Sequence, residues 1–406
     1  MNIVIFNVKF SANLGDGVIA ECLEAAIARR TGWQVESIDL AGRTDWPTGA
    51  GGRSRRLKLA VLQAMPRPIR DASVSLVLGR MIRDTLQPHW RERLGNADAA
   101  VFGGGQLIQD GDLNFPLKLS AAGAEVRRRG IPAAIFAVGA APSKSARGRA
   151  LFEELFRSTH ILYAAARDTA SCDALKSLGC EAELCRDPGL FAAQIWPAKA
   201  QEQRKRPRIG LGITHPVVLS HHASRKQRHT TESAARLYER MATRLVAAGN
   251  DVMCFTNGAA EDEALLKKLG SRDAMRNAPV EIAPRANRPK ELCKRIANCD
   301  ALIAHRLHAA IVAYSYQVPS IGLRWDDKLV GFFDSVGYGE RTAEFDEATA
   351  SQIDTLIASV MAEGVRGDRH AQIIQETEAG IDNLIARIAS RYGVQPERRR
   401  IESVTG

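Results

Sequence analysis

Short apolar runs alternate with stretches of helical period through nearly the whole chain. Asn2 to Asn7 reads as a first strand. Gly17 to Arg30 carries apolar residues at helical spacing, and Gln34 to Asp39 is a second strand. Ala99 to Phe102 is a third, expected to stop at Gly103-Gly104-Gly105. A helix over Leu119 to Arg129, a strand over Ala133 to Gly139, a helix over Ala146 to Arg157 and strands at Ile161–Ala165 and Glu183–Cys185 follow. Trp196 to Arg208 breaks the rhythm: it is polar and charged, with a proline near each end, and reads as a linker.

The alternation then restarts. Strands are expected at Arg208–Thr214, Asp251–Thr256, Val280–Ala283, Ala301–Ala304 and Val318–Leu323, with helices at Glu232–Ala248, Glu261–Leu269, Lys290–Ala297, after His308, and at Asp327–Val336. Long amphipathic helices, Thr349–Glu363 and Gln372–Tyr392, come last. Strand–helix alternation implies parallel sheets covered on both faces. The expected architecture is therefore α/β, with two Rossmann-like domains and a central cleft. The boundaries are 1–195, a linker at 196–208, 209–370, and a C-terminal helix with a basic tail at 371–406 that packs back on the first domain. In such sheets ligands bind beyond the carboxyl ends of the strands, so each motif is judged by whether it follows one.

Composition adds little to the fold and something to the partners. With 406 residues, two domains is the prior. A net charge of +10 favours anionic partners. The charge is dense in Gly52–Arg70, Arg204–Arg208, His221–His229 and Arg398–Arg400, without interleaved aromatics, which argues against nucleic acid. No apolar run is long enough to span a bilayer and no signal pattern opens the chain, so a cytoplasmic location is expected. The seven cysteines form no CxxC pair and read as unpaired thiols rather than metal ligands.

Five motifs fall after strands. Asn13-Leu14-Gly15-Asp16-Gly17 opens the first helix; it is not a dinucleotide fingerprint, and Asp16 is both a candidate N-cap and a candidate functional residue. Gly103-Gly104-Gly105-Gln106 suits either a backbone passing close to a ligand or a tight strand–helix crossing, the first being preferred. Arg167-Asp168-Thr169 meets a helix, with Asp168 or Thr169 as cap and Arg167 paired to Asp187. His215 and the loop His221–His229 form a cationic stretch. Finally, His305-Arg306-Leu307-His308 sits at a helix start, where positive side chains oppose the helix dipole unless an anion completes the site. Arg306 offers a planar fork and His308 a proton near neutral pH, with Lys328 downstream as a further cation.

Taken together, these motifs resemble the polysaccharide pyruvyl transferase family: Asn13-Leu14-Gly15-Asp16, Gly103-Gly104-Gly105, Arg167-Asp168 with Ser171, Asp187-Pro188, His305-Arg306-Leu307-His308-Ala309-Ala310, Val318-Pro319 and Lys328, in the family's order. The family often has serine where this chain has His305, and a Tyr-Asp pair where Trp325-Asp326 stands. The resemblance implies a GT-B-like fold and transfer of pyruvate from phosphoenolpyruvate to a sugar as a ketal, with phosphoenolpyruvate as co-substrate and no cofactor or metal. By carry-over Arg306 and His308 are donor-site residues, with His308 the general acid. Leu307, Lys328 and His305 join the donor side, and Lys328 supports the leaving phosphate. Asn13, Gly15, Asp16 and Gly103–Gly105 would face the acceptor, with Asp16 as general base. The acceptor would be a sugar or lipid-linked oligosaccharide, and the basic stretch around Leu57–Met65 suggests peripheral attachment to an anionic membrane. A nucleotide-sugar glycosyltransferase, with Thr256-Asn257-Gly258-Ala259 and Glu261 as a loose ribose site, and a non-catalytic sugar- or phosphate-binding protein stand as alternatives.

Overall fold

The computed structural model describes residues 1–47, 75–111, 113–198, 204–217 and 229–395. The basic insert at Gly52–Arg70 with its apolar stretch Leu57–Met65, most of the His221–His229 loop and the arginine tail lie outside the described residues. Two six-stranded sheets, all parallel, carry the fold. The first contains β1 (Asn2–Asn7), β2 (Gln34–Asp39), β3 (Ala99–Ile108), β4 (Ala133–Ala140), β5 (Ile161–Ala166) and β6 (Glu183–Leu184), in the order β2-β1-β3-β4-β5-β6. The second contains β7 (Arg208–Gly212), β8 (Asp251–Phe255), β9 (Val280–Ile282), β10 (Ala301–Ala304), β11 (Ser320–Leu323) and β12 (Thr342–Ala343), in the order β12-β11-β10-β7-β8-β9.

Chain direction across each sheet reverses once, between β1 and β3 and between β7 and β10. These are the switch points at which the flanking helices diverge to opposite faces and leave a crevice at the carboxyl ends. The central strands β3, β4 and β10 are apolar on both faces and buried accordingly. One apolar cluster runs across both halves, joining Ile5, Val18 and Phe136 to Phe255, Leu292 and Val312. The last helix, Gly367–Arg391, lays Ile381, Leu384 and Ile388 into this same cluster beside β4 and β5.

The third strand departs from expectation. β3 does not stop at Phe102 but continues through the glycines to Ile108. Gly104 and Gly105 have φ of +78° and +83°, which side chains rarely adopt. A Cβ on Gly104 would lie 2.7 Å from Ile19 Cγ2, so this glycine serves the tight crossing of the first helix over β3. That is the structural alternative to the ligand-facing role preferred from sequence. A helical segment at 75–94, with a π-type turn at Ile82–Leu86, was not anticipated; it buries Leu78, Ile82, Leu86 and Trp90 against the outer face of the first sheet.

Candidate active site

The two switch points face each other. From the first half, β1 leads into the helix Leu14–Thr31, whose N-cap is Asn13, with its side chain accepting from the Gly15 N–H. Asn13 is thus the cap that Asp16 was a candidate to be. Asp16 sits in the first turn, accepts from the Ser11 hydroxyl, and has its Oδ1 3.9 Å from where a Cβ on Gly105 would stand. Burial raises its pKa above the usual carboxylate range, while Ser11, Arg306, Arg43 and Arg167 oppose the rise.

From the second half, β10 leads through His305 to Arg306, the N-cap residue of the helix Leu307–Ser315. His308 lies in the first turn, pressed against the opposite half. A Cβ on Gly15 would be 2.6 Å from His308 Nδ1, so only glycine lets the two helix starts approach this closely. The other ring nitrogen, Nε2, is 3.4 Å from Arg167 Nη1. The His308 pKa falls well below its ordinary value, from burial first and then from Arg167, Arg306 and Lys328. His308 keeps intermediate exposure, so the residue is not sealed into a core.

Arg167, at the end of β5, is the cation the sequence reading assigned only to a salt bridge. It does pair with Asp187, at 3.3 Å, and both side chains are buried. It also donates to Gln106 Oε1 at 3.2 Å, so it reaches from the first sheet to His308 in the second half. Asp168 is the N-cap of the next helix, accepting from Ser171 N–H. Lys328 is depressed in pKa by burial, with Asp326 and Asp168 opposing that shift and Arg167 adding to it. Arg306 donates through both Nε and Nη2 to Asp262 Oδ2, a fully buried carboxylate that sequence reasoning missed. The signal for Asp262 was only its place in the first turn of a helix, which is common for acids.

Asp16, Gly15, Arg167, Arg306, His308 and Lys328 therefore converge. Leu307 is only half-buried at the helix start and packs on the neighbouring apolar cluster of Ala310, Tyr314 and Phe333. His305 does not join the site and is corrected here: its ring is fully buried, edge-on to Tyr238 and Phe345, and its Nδ1 donates to the Leu323 carbonyl at 2.9 Å. Gly103 packs under β4 at the Phe136 carbonyl, and Gly104 under Ile19, so of the three glycines Gly105 alone borders a site side chain. Among the described residues no group of three His, Cys, Asp or Glu side chains is arranged to hold a metal ion.

Cations gathered around an imidazole, with a half-buried carboxyl beside them, have the chemistry to hold an anion and to carry a proton. Comparison with solved structures finds the same overall fold at low sequence identity. The UDP-GlcNAc 2-epimerase from Neisseria meningitidis, bound to UDP-GlcNAc, matches with a TM-score of 0.56 and 9% identity over 96% of this chain and 100% of that one. The UDP-GlcNAc 2-epimerase from Methanocaldococcus jannaschii matches with a TM-score of 0.52 and 11% identity, covering 96% and 99%. The S. aureus MnaA–UDP structure matches with a TM-score of 0.51 and 10% identity, covering 98% of each chain. At such identities the likeness concerns the fold alone, which is GT-B-like. No curated protein sequence matches. The sequence model for polysaccharide pyruvyl transferases matches residues 13–327, from the cap of the first helix to the turn carrying Lys328's neighbour Asp327, and the chain belongs to the polysaccharide pyruvyl transferase family.

Proposed function

We propose that the protein transfers pyruvate from phosphoenolpyruvate to two hydroxyls of a sugar, forming a ketal and releasing phosphate. The observation that carries this reading is the convergence of Arg167, Arg306 and Lys328 on His308 from both halves of the molecule. Phosphoenolpyruvate brings a carboxylate and a phosphate. Three fixed cations match its charge, and its methylene carbon needs an acid. Arg306 and Arg167 clamp the donor, and Lys328 supports the phosphate.

In the first step the His308 imidazolium gives its proton to the methylene carbon. A C–H bond forms, the double bond breaks, and positive charge develops at the phosphate-bearing carbon. A sugar hydroxyl adds there and loses its proton to Asp16, which feels the charges of Arg306 and Arg167. The second hydroxyl then displaces phosphate: one C–O bond forms and the C–O(P) bond breaks. Of the two hydroxyl protons, one replaces that spent on the methyl group and the other leaves with hydrogen phosphate, so the sum is balanced.

Before the donor binds, burial first and then Arg167, Arg306 and Lys328 favour the neutral form of His308. The donor's negative charge offsets those cations, so donor binding itself loads the acid with a proton. The acceptor side of this reading comprises Asp16, Gly15 and Gly105, with Asn13 holding the helix start. A lipid-linked acceptor at the cytoplasmic face of a membrane fits the same reading. Within the described residues no helix is long and apolar enough to cross a membrane. Leu76, Val77 and Met81 are exposed beside exposed Arg80 and Arg83, which suits attachment to an anionic surface.

Thermal unfolding with phosphoenolpyruvate and with a panel of nucleotide sugars tests the donor. A ligand of the native state raises the midpoint by mass action. A rise with phosphoenolpyruvate that disappears in Arg167→Met is expected. A rise with a nucleotide sugar alone would sink the pyruvyl donor and favour glycosyl transfer.

A further inference from the structure

The donor reading gives Arg306 a ligand to bind, yet its guanidinium is already engaged. Nε and Nη2 both point at Asp262 Oδ2, and the Arg306 side chain is only 14% exposed. Asp262 is 0% exposed. Its other oxygen, Oδ1, accepts the backbone N–H of His215 at 2.8 Å. That N–H is held in place in turn: the preceding Thr214 donates its N–H to the Tyr238 hydroxyl at 3.0 Å, and the same hydroxyl donates to the Thr214 carbonyl. Asp262 therefore has a fixed backbone donor on one oxygen and one arginine edge on the other. It lies in the first turn of the helix Ala260–Gly270, where the helix dipole favours its charge.

A planar guanidinium offers its donors along fixed edges. With the Nε–Nη2 edge turned to Asp262, the remaining edge, Nη1 with the outer hydrogen of Nη2, must point away from it. Arg306 caps the helix that carries His308 in its first turn, and its side chain keeps 14% exposure, so that edge has room to meet a ligand. An arginine without Asp262 would be a flexible cation at a helix start that repels cations. With Asp262 it is a fixed fork.

We propose that Asp262 is a positioning residue for the donor site: it holds Arg306 by one guanidinium edge so that the other is presented to the carboxylate or phosphate of phosphoenolpyruvate. The same carboxylate holds the backbone at His215, three residues beyond β7. Asp262 touches no substrate and acts through Arg306. The inference rests on the proposed donor.

The test is a double-mutant cycle on phosphoenolpyruvate binding, measured by titration calorimetry on the full chain. Wild type, Asp262→Asn, Arg306→Ala and the double variant are compared. The asparagine retains an acceptor for the His215 N–H, which preserves that backbone contact. Asp262→Asn is expected to weaken binding at least tenfold in the wild-type background and not further in the Arg306→Ala background. A general loss of structure would weaken both backgrounds alike, and that result overturns the positioning role. A second readout is spectroscopic. In protein labelled with nitrogen-15 arginine, the slowly exchanging Nε–H signal that disappears in Arg306→Ala should also be lost in Asp262→Asn. If that signal persists, or if Asp262→Asn binds like wild type, Asp262 does not position Arg306. If wild type itself fails to bind phosphoenolpyruvate, the donor reading falls and takes this role with it, an outcome distinct from the other two.

Discussion

If donor binding loads His308 with its proton, binding must take that proton from the solution. Before the donor binds, burial and three cations favour the neutral ring. Arg167 Nη1 stands 3.4 Å from Nε2, so the charge repulsion on protonation is of the first rank. At about 4 Å and an effective dielectric of about 20, one unit charge contributes about 4 kcal/mol. A donor carboxylate or phosphate oxygen at comparable range supplies the same amount with opposite sign, enough to cancel one of the three cations for each charge. Phosphoenolpyruvate brings more than one such charge.

Calorimetry in buffers of different ionisation enthalpy counts the protons. Between pH 8 and pH 7 the donor's phosphate is mostly ionised already, since such groups lose their second proton near pH ~6. Uptake is therefore assignable to the protein. Wild type should take up a measurable fraction of one proton at pH 8, rising towards one as pH falls to 7. His308→Gln should bind with no uptake. Tight binding with zero uptake across this range, or equal uptake in His308→Gln, would refute the loading of His308 by its substrate.

Other consequences are open to measurement. Gly15→Ala places a methyl where His308 Nδ1 stands 2.6 Å away, so turnover should fall by tenfold or more while overpacking lowers stability by only about 1–3 kcal/mol; unchanged turnover would mean the approach of Gly15 to His308 is unimportant. His305 has its pKa lowered to about 3 by burial, against 6.5 unfolded, so its contribution is complete above pH 6.5 and is lost as pH falls towards 3. At pH 5 this amounts to about 2 kcal/mol, and His305→Asn should show a shallower fall of unfolding midpoint between pH 6.5 and 4, although it is less stable at pH 8. Flotation with vesicles containing anionic lipid should be salt-sensitive and weakened by Leu76→Asp with Val77→Asp; binding that ignores both salt and these changes would remove the membrane proposal.

The legible part of the molecule was the part governed by local pattern. Alternation of apolar runs and helical period located the parallel strands, and the rule that ligands gather at strand ends singled out Asp16, Arg306 and His308 as candidates, which the fold brings together. What the pattern could not carry was pairing across the chain. Arg167 and His308 are 141 residues apart, and Arg306 and Asp262 are 44 apart, so neither contact leaves a trace in spacing. Arg167 pairs with Asp187 as its spacing suggests, yet a guanidinium has several donors: Nη1 also meets His308 and Nη2 serves Gln106. His305 shows the opposite failure. It shares a motif with two site residues, but adjacent residues at a strand end point to different sides, and its side turned into the aromatic core. The glycine run misled for a related reason: backbone freedom at Gly104 was needed by a helix crossing rather than by a ligand, and both demands write the same letter. A motif therefore marks where the chain does something unusual, and only the opposing half of the molecule decides which of its residues faces the reaction. The cleft makes this unavoidable here, since Gly15 and Arg167 come from one half and His308 from the other.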